Sequence, residues 1–211
     1  MPGLAYLKDP NAIYARSFDT IQHEADLSNL PESVRDVVIR MIHACGMPDI
    51  VGDLRFSADV ADAGRSALAA AAPVFADCEA VSSAITRRFL PGDNKVICTL
   101  NHSRTPDLAS ELETTRSAAA VSLWGPDLDG AVVVIGNAPT ALFALLEALD
   151  NGAPRPAAII ATPVGFVGAA ESKEELARDP RGVPFLTLAG RRGGSAIAAA
   201  ALNALAISAT A

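Results

Sequence analysis

The 211-residue sequence predicts a three-layer α/β/α sandwich built on a five-stranded parallel sheet. Three observations lead there. Five short apolar runs, at 73–77, 95–100, 131–135, 157–161 and 184–188, each have the length of a strand buried on both faces. Helix-length segments separate them, and such alternation requires parallel crossover connections. Half of the residues are apolar, enough for one sizeable core in a chain too short for two comfortable domains. Five strands in a chain of this size suggest a flavodoxin-like sheet, although strand order is not legible in the sequence.

In chain order, residues 1–30 read as a polar arm that contains Tyr14, Arg16, Ser17 and Phe18. A helix over 32–45 follows, opened by Pro31 and closed by Gly46, the usual asymmetry of helix ends. Its apolar stripe is Val34, Val37, Val38, Met41, Ile42 and Cys45, the spacing of a core-facing side. A second helix over 59–72 completes a helical lead-in, 31–72, to the α/β core, 73–211. Within that core the helices fall at 79–89, 106–124, 139–150 and 172–178, and a last one at 194–207 follows the fifth strand. Pro and Gly sit at element ends, no repeat or long linker interrupts the chain, and one domain, 1–211, is expected.

The charge balance excludes several classes of function. A net charge of −7 argues against broad binding to nucleic acid or acidic membranes, which needs a basic face. An acidic ligand would need locally gathered arginines, for which Arg16, Arg87, Arg88, Arg116, Arg181, Arg191 and Arg192 are candidates. Cys45, Cys78 and Cys98 are odd in number and lack a CxxC spacing, so free thiols are expected rather than a disulfide framework or a metal site. The start, Met1, Pro2, Gly3 and Leu4, does not read as a secretory signal, and the apolar tail 196–211 is shorter than the roughly 20 residues of a membrane span. A cytoplasmic protein without membrane contact is the expectation.

Four places carry candidate chemistry. His43 points roughly 180° away from its helix's apolar stripe at about 100° per residue, which argues against a core histidine and leaves a plain surface imidazole as the alternative to a functional one. It lies in the last turn, where free carbonyls favour a cation, and it suits a general acid near neutral pH. Arg116 falls in the long Ala-rich helix, where it either pairs with Glu111 or Glu113 or offers a fork of donors to a carboxylate. Gly136 and Asn137 end a strand just before Pro139, a turn whose free N–H groups could hold an anion. Arg191, Arg192, Gly193, Gly194 and Ser195 place two guanidinium groups beside a glycine turn and a helix-capping serine, a second candidate anion site. Neither GxGxxG nor GxxxxGK[ST] occurs, and HExxH, GxSxG and paired-carboxylate motifs are missing too. His23, His102 and Glu79 read as surface or helix-end residues.

Taken together, the strings His43-Ala44-Cys45-Gly46, Thr114-Thr115-Arg116-Ser117, 136–143, 163–173 and 191–195 make the chain resemble the precorrin-8X methylmutases, isomerases of corrin-ring (cobalamin) biosynthesis. The resemblance implies an intramolecular methyl shift from C-11 to C-12 of precorrin-8X, giving hydrogenobyrinic acid, with no cofactor and no metal. It implies that His43 is catalytic, that Arg116 belongs to the active site and that Ser17 contacts substrate. It also implies a homodimer with the site near the subunit interface and a tetrapyrrole as substrate and product. Two alternatives remain open at the level of sequence: a non-catalytic flavodoxin-like carrier of an anionic ligand, and the same isomerase acting on a cobalt-containing ring. A methyltransferase is disfavoured by the missing glycine-rich donor loop.

Overall fold

The computed structural model describes residues 4–210; the first three residues of the expected N-terminal arm and Ala211 lie outside them. Six strands form one sheet in the order β1-β6-β5-β4-β2-β3, with β1 Leu54–Phe56, β2 Val74–Ala76, β3 Val96–Cys98, β4 Val132–Ile135, β5 Ala158–Ala161 and β6 Phe185–Leu188. The five expected strands are all present and all parallel. Numbered among themselves along the chain, they lie in the flavodoxin-like order 2-1-3-4-5. The sixth strand, β1, was not expected. It is three residues long and pairs antiparallel with β6, Leu54 opposite Leu188, so it adds an edge without a crossover.

Successive strand residues point to opposite faces, and each face has its own core. Val74, Ala76, Val132, Val134, Ile160 and Leu186 pack toward α2 Glu32–Cys45, α3 Val60–Ala69, α4 Glu79–Ala84 and α9 Ser195–Ser208. Phe75, Val133, Ile135, Ile159 and Phe185 pack toward Trp124, α7 Pro139–Asp150 and α8 Ala169–Arg178, with Phe75 stacked on the indole at 5.1 Å. Helix α9 is buried on nearly all sides because it lies between the sheet and α2. Its run of alanines lets both neighbours approach closely. Helix α2 therefore forms an additional layer outside α9, and it carries His43 at its far end.

Three segments depart from the expected elements. Within 1–30 the chain forms α1, Pro10–Glu24, with Asp9 accepting a hydrogen bond from the Asn11 N–H and Pro10 in the first turn. The expected helix 79–89 stops at Ala84. Asn203 of α9 accepts from the Thr86 N–H at 2.9 Å and donates to the Ala84 carbonyl at 3.1 Å, taking over bonds the helix would have made itself. The expected helix 106–124 is two, α5 Thr105–Glu111 and α6 Arg116–Val121. Glu113 between them takes a left-handed φ of 49°, and the Thr115 hydroxyl caps α6 at the Ala118 N–H.

Candidate active site

Helix α2 ends as its sequence requires. Gly46 adopts a left-handed φ of 68° and its N–H closes on the Ile42 carbonyl at 2.7 Å. His43, three residues earlier, is exposed on the side opposite the buried stripe. What covers it is α1. Tyr14, Ser17 and Phe18 share one side of that helix at the i, i+3, i+4 spacing. The Tyr14 and Phe18 rings lie 5.2 and 5.4 Å from the imidazole, and the Ser17 hydroxyl is 2.8 Å from Nδ1. Among the described residues Nε2 has no hydrogen-bond partner. If Ser17 donates to Nδ1, the ring proton sits on Nε2; if Nδ1–H donates to the Ser17 oxygen, Nε2 is a bare acceptor in the neutral ring and carries a proton in the imidazolium. In every case Nε2 is the unpartnered nitrogen, and in the imidazolium it is the one placed to give a proton away.

Beside the imidazole a groove of about 430 Å³ runs between α1 and α2, lined among others by Ile13, Arg16, Ser17, Ile42 and His43. Its walls are mainly apolar with one guanidinium, Arg16, at the rim. A second guanidinium, Arg40, lies over the Phe18 ring at 5.4 Å. Cys45, two residues from His43, is half-buried, and burial pushes its thiol up, so it is no thiolate nucleophile. Burial likewise pushes the Cys98 thiol up to about 11.

The anion sites expected along the strand ends take a different form. At the turn of Gly136, Asn137 and Ala138 the three N–H groups are already occupied: they donate to the Asp77 carboxylate at 3.0, 3.0 and 2.8 Å. Asp77 is only 3 % exposed; burial pushes its carboxyl up, and the three donors hold it down. Since β2 and β4 flank the switch point of the sheet, the chain's own carboxylate fills the crevice where this topology usually receives a ligand. Gly136 serves packing instead, because a Cβ there would lie 2.7 Å from the Ser195 Cα and 2.9 Å from Val81.

Arg116 pairs with neither Glu111 nor Glu113. As the first residue of α6 it turns to the loop after β3, donating to the Leu100 carbonyl at 3.0 Å and the Asn101 side chain at 2.9 Å, and remains exposed. A hydrogen bond of 2.8 Å between Thr115 and Thr140 ties that helix start to the start of α7. In the β6–α9 loop the two arginines diverge. Arg192 bridges Asp49 and Asp53 of the turn after α2, at 2.5 Å each, and both carboxylates hold its pKa up. Arg191 is exposed, lies over the Phe166 ring at 5.5 Å, and among the described residues joins no ion pair. Gly193 packs against the Thr162 carbonyl, and Gly194, not Ser195, occupies the capping position of α9. Ser195 opens the helix, with its hydroxyl 3.6 Å from the Cys78 sulfur.

The structure thus joins Ser17 to His43, and it ties Arg192 to the turn that leaves α2. It leaves Arg116 and the Gly136 turn in separate loops along the carboxyl edge of the sheet. Asp49, Asp53 and Asp77 are partners that sequence reasoning missed, and Tyr14 and Phe18 were read only as part of the arm, without their contact to His43. The one signal for Tyr14 and Phe18 was their spacing from Ser17; for Asp77, a carboxylate directly behind an apolar strand.

Comparison with known proteins places this geometry in a family. A family model described as Precorrin-8X methylmutase matches residues 12–208. The chain is 59% identical over 201 residues to a protein of Pseudomonas aeruginosa named Precorrin-8X methylmutase, covering 95% of this chain and 97% of that one. It is 36% identical over 201 residues to one of Priestia megaterium named Cobalt-precorrin-8 methylmutase, covering 94% and 88%. Among solved structures, the precorrin-8X methylmutase of Thermus thermophilus superposes with a TM-score of 0.85 at 37% identity, over 95% of this chain and 96% of that one.

Proposed function

The chain belongs to the precorrin-8X methylmutase family and is an isomerase, and we propose that it moves a methyl group from C-11 to C-12 of precorrin-8X to give hydrogenobyrinic acid, with His43 as the acid that starts the shift. The observation that carries the reading is the pairing of Ser17 with Nδ1 at 2.8 Å, which orients the ring and leaves Nε2 as its unpartnered nitrogen beside the groove, the donor when the ring is an imidazolium. Protonating the conjugated macrocycle makes its π-system electron-poor and eases an intramolecular [1,5] shift. The proton returns to His43 as the product's conjugation is restored, so atoms balance without an external methyl donor. Acid assistance of this kind is worth about 10²–10⁴-fold, roughly 3–5 kcal/mol, and positioning of the ring supplies the rest.

The acetate and propionate arms of the ring are held by cations and donors at the rim: Arg116, Arg191, the Asn137 side chain and the loop of Gly193, Gly194 and Ser195. Arg192 contributes by fixing that loop to Asp49 and Asp53 rather than by direct contact. The metal-free ring is the preferred substrate, a reading supported by 59% identity to the relative named for precorrin-8X against 36% to the one named for cobalt-precorrin-8. A second copy of the chain completes the site in a cytoplasmic homodimer. One chain offers a groove of only about 430 Å³, small for a tetrapyrrole, beside exposed Tyr6, Leu7, Ile13 and Tyr14. The rival carrier reading loses support at the Gly136 turn, because Asp77 occupies the donors a bound anion would use.

Mixing the protein with metal-free or cobalt-loaded precorrin-8X and following the absorption spectrum tests this. Catalytic conversion of many equivalents, faster with the metal-free ring, is expected. A spectral change that stops at one equivalent would identify a carrier instead.

A further inference from the structure

We infer that Lys173 is a positioning residue for substrate binding: from the interior it fixes the β6–α9 loop, and through that loop the Arg191 guanidinium that meets a substrate carboxylate. The inference rests on the assignment of Arg191 in the proposed function.

Lys173 lies on α8 with no exposed surface at all, among the largest fully buried side chains of the protein. Lysines are almost never buried to this degree unless paired. Here the ammonium donates to the backbone carbonyl of Arg192 at 2.6 Å, with Asp53 as the nearby compensating charge. Burial outweighs that charge and pulls the lysine pKa down to about 8, so the ion is held where solvation disfavours it. A methionine would fill the same space without that penalty. What methionine lacks is the donor to Arg192.

The contact sits at a junction. Arg192 continues outward to Asp49 and Asp53, in the turn that follows the helix carrying His43. Its neighbours Gly193 and Gly194 are pressed on the Thr162 carbonyl, with the Gly194 N–H donating there at 2.8 Å. The Arg191 carbonyl accepts from the Gly165 N–H at 3.2 Å, which joins the loop to the Phe166 turn on which the Arg191 side chain rests. The Lys173 ammonium is therefore a buried side-chain donor among the several contacts that hold the loop from which Arg191 projects.

The test is Lys173→Met, measured for melting temperature, kcat and KM on precorrin-8X, alongside Arg191→Leu and the double variant. The expected result is a melting temperature at or above that of the wild type, kcat within about twofold, and KM raised roughly tenfold, the scale of one charged hydrogen bond. In the double variant KM should rise no further than in Arg191→Leu alone, since both changes remove one interaction. A Lys173→Met protein that is unfolded or clearly less stable would overturn the inference by making the lysine a structural post. So would an unchanged KM, or effects of the two substitutions that multiply. If Arg191→Leu itself leaves KM unchanged, the substrate contact assigned to Arg191 fails as well; a raised KM there with a normal one in Lys173→Met overturns only the role of the lysine.

Discussion

Replacing Gly193 with alanine tests the claim that the β6–α9 loop is seated on the end of β5 by direct backbone contact. A Cβ at this position would overlap the Thr162 carbonyl oxygen and lie 2.8 Å from its carbon and 3.0 Å from the Pro163 oxygen. All three atoms are backbone, so no side-chain rotation relieves the overlap. The loop must lift, which breaks the hydrogen bond of 2.8 Å from the Gly194 N–H to Thr162, worth about 1 kcal/mol net. Overpacking against a rigid neighbour adds about 1–3 kcal/mol, for a loss of roughly 2–4 kcal/mol in all. At this chain length that corresponds to about 5–15 °C in melting temperature. Urea unfolding of Gly193→Ala and of Gly52→Ala, whose Cβ would meet nothing within 4 Å, gives the comparison. A loss below about 1 kcal/mol at Gly193, or equal effects at both glycines, would refute the packing argument.

Ser17→Ala removes the partner of Nδ1 and should lower kcat about three- to tenfold with little change in stability, since a net hydrogen bond is worth about 0.5–1.5 kcal/mol and the pair is exposed; a kcat equal to the wild type would dissociate Ser17 from the imidazole. Arg116→Leu should weaken binding of the macrocycle by roughly 1.5–3 kcal/mol, read by titration, while circular dichroism stays unchanged; unchanged affinity would leave Arg116 as a tether for Leu100 and Asn101 only. For Lys173 the folded-state pKa of about 8 lies below the ordinary 10.5, so between these values the unfolded chain binds more protons and stability attributable to this side chain rises with pH. The stability of the wild type relative to Lys173→Met should therefore improve by about 2 kcal/mol between about pH 7 and pH 9.5. A difference that stays flat over that range would mean the ammonium is solvated.

How much of this was legible in the sequence depends on whether the determining contact is local. The five parallel strands and α2, α7 and α9 follow from apolar runs and from end residues such as Pro31, Gly46 and Pro139, which act within a turn of chain. The break between α5 and α6 is set by Glu113 and Thr115 within an Ala-rich stretch whose propensity argues for one helix. The end of α4 was not legible at all, because Asn203, more than a hundred residues away, supplies the competing bonds. At the site, the outward direction of His43 follows from helical periodicity alone. Its contact with Ser17 requires knowing that α1 folds back on α2, and a polar segment with few apolar residues gives little sign of that. The Gly136 turn misled for the same reason: its donors look free until Asp77 is brought beside them by the pairing of β2 with β4.

The central claim, that His43 supplies a proton rather than contact area, is tested most directly by His43→Ala measured for turnover and for equilibrium binding of the product. The rate should fall by at least about a hundredfold while the dissociation constant for hydrogenobyrinic acid changes by less than about threefold, since the imidazole supplies a proton rather than most of the contact area, and the fold should survive because the side chain faces away from its own helix's core stripe. A variant that keeps more than about a tenth of the wild-type rate would contradict it, as would one that loses rate only in proportion to lost binding.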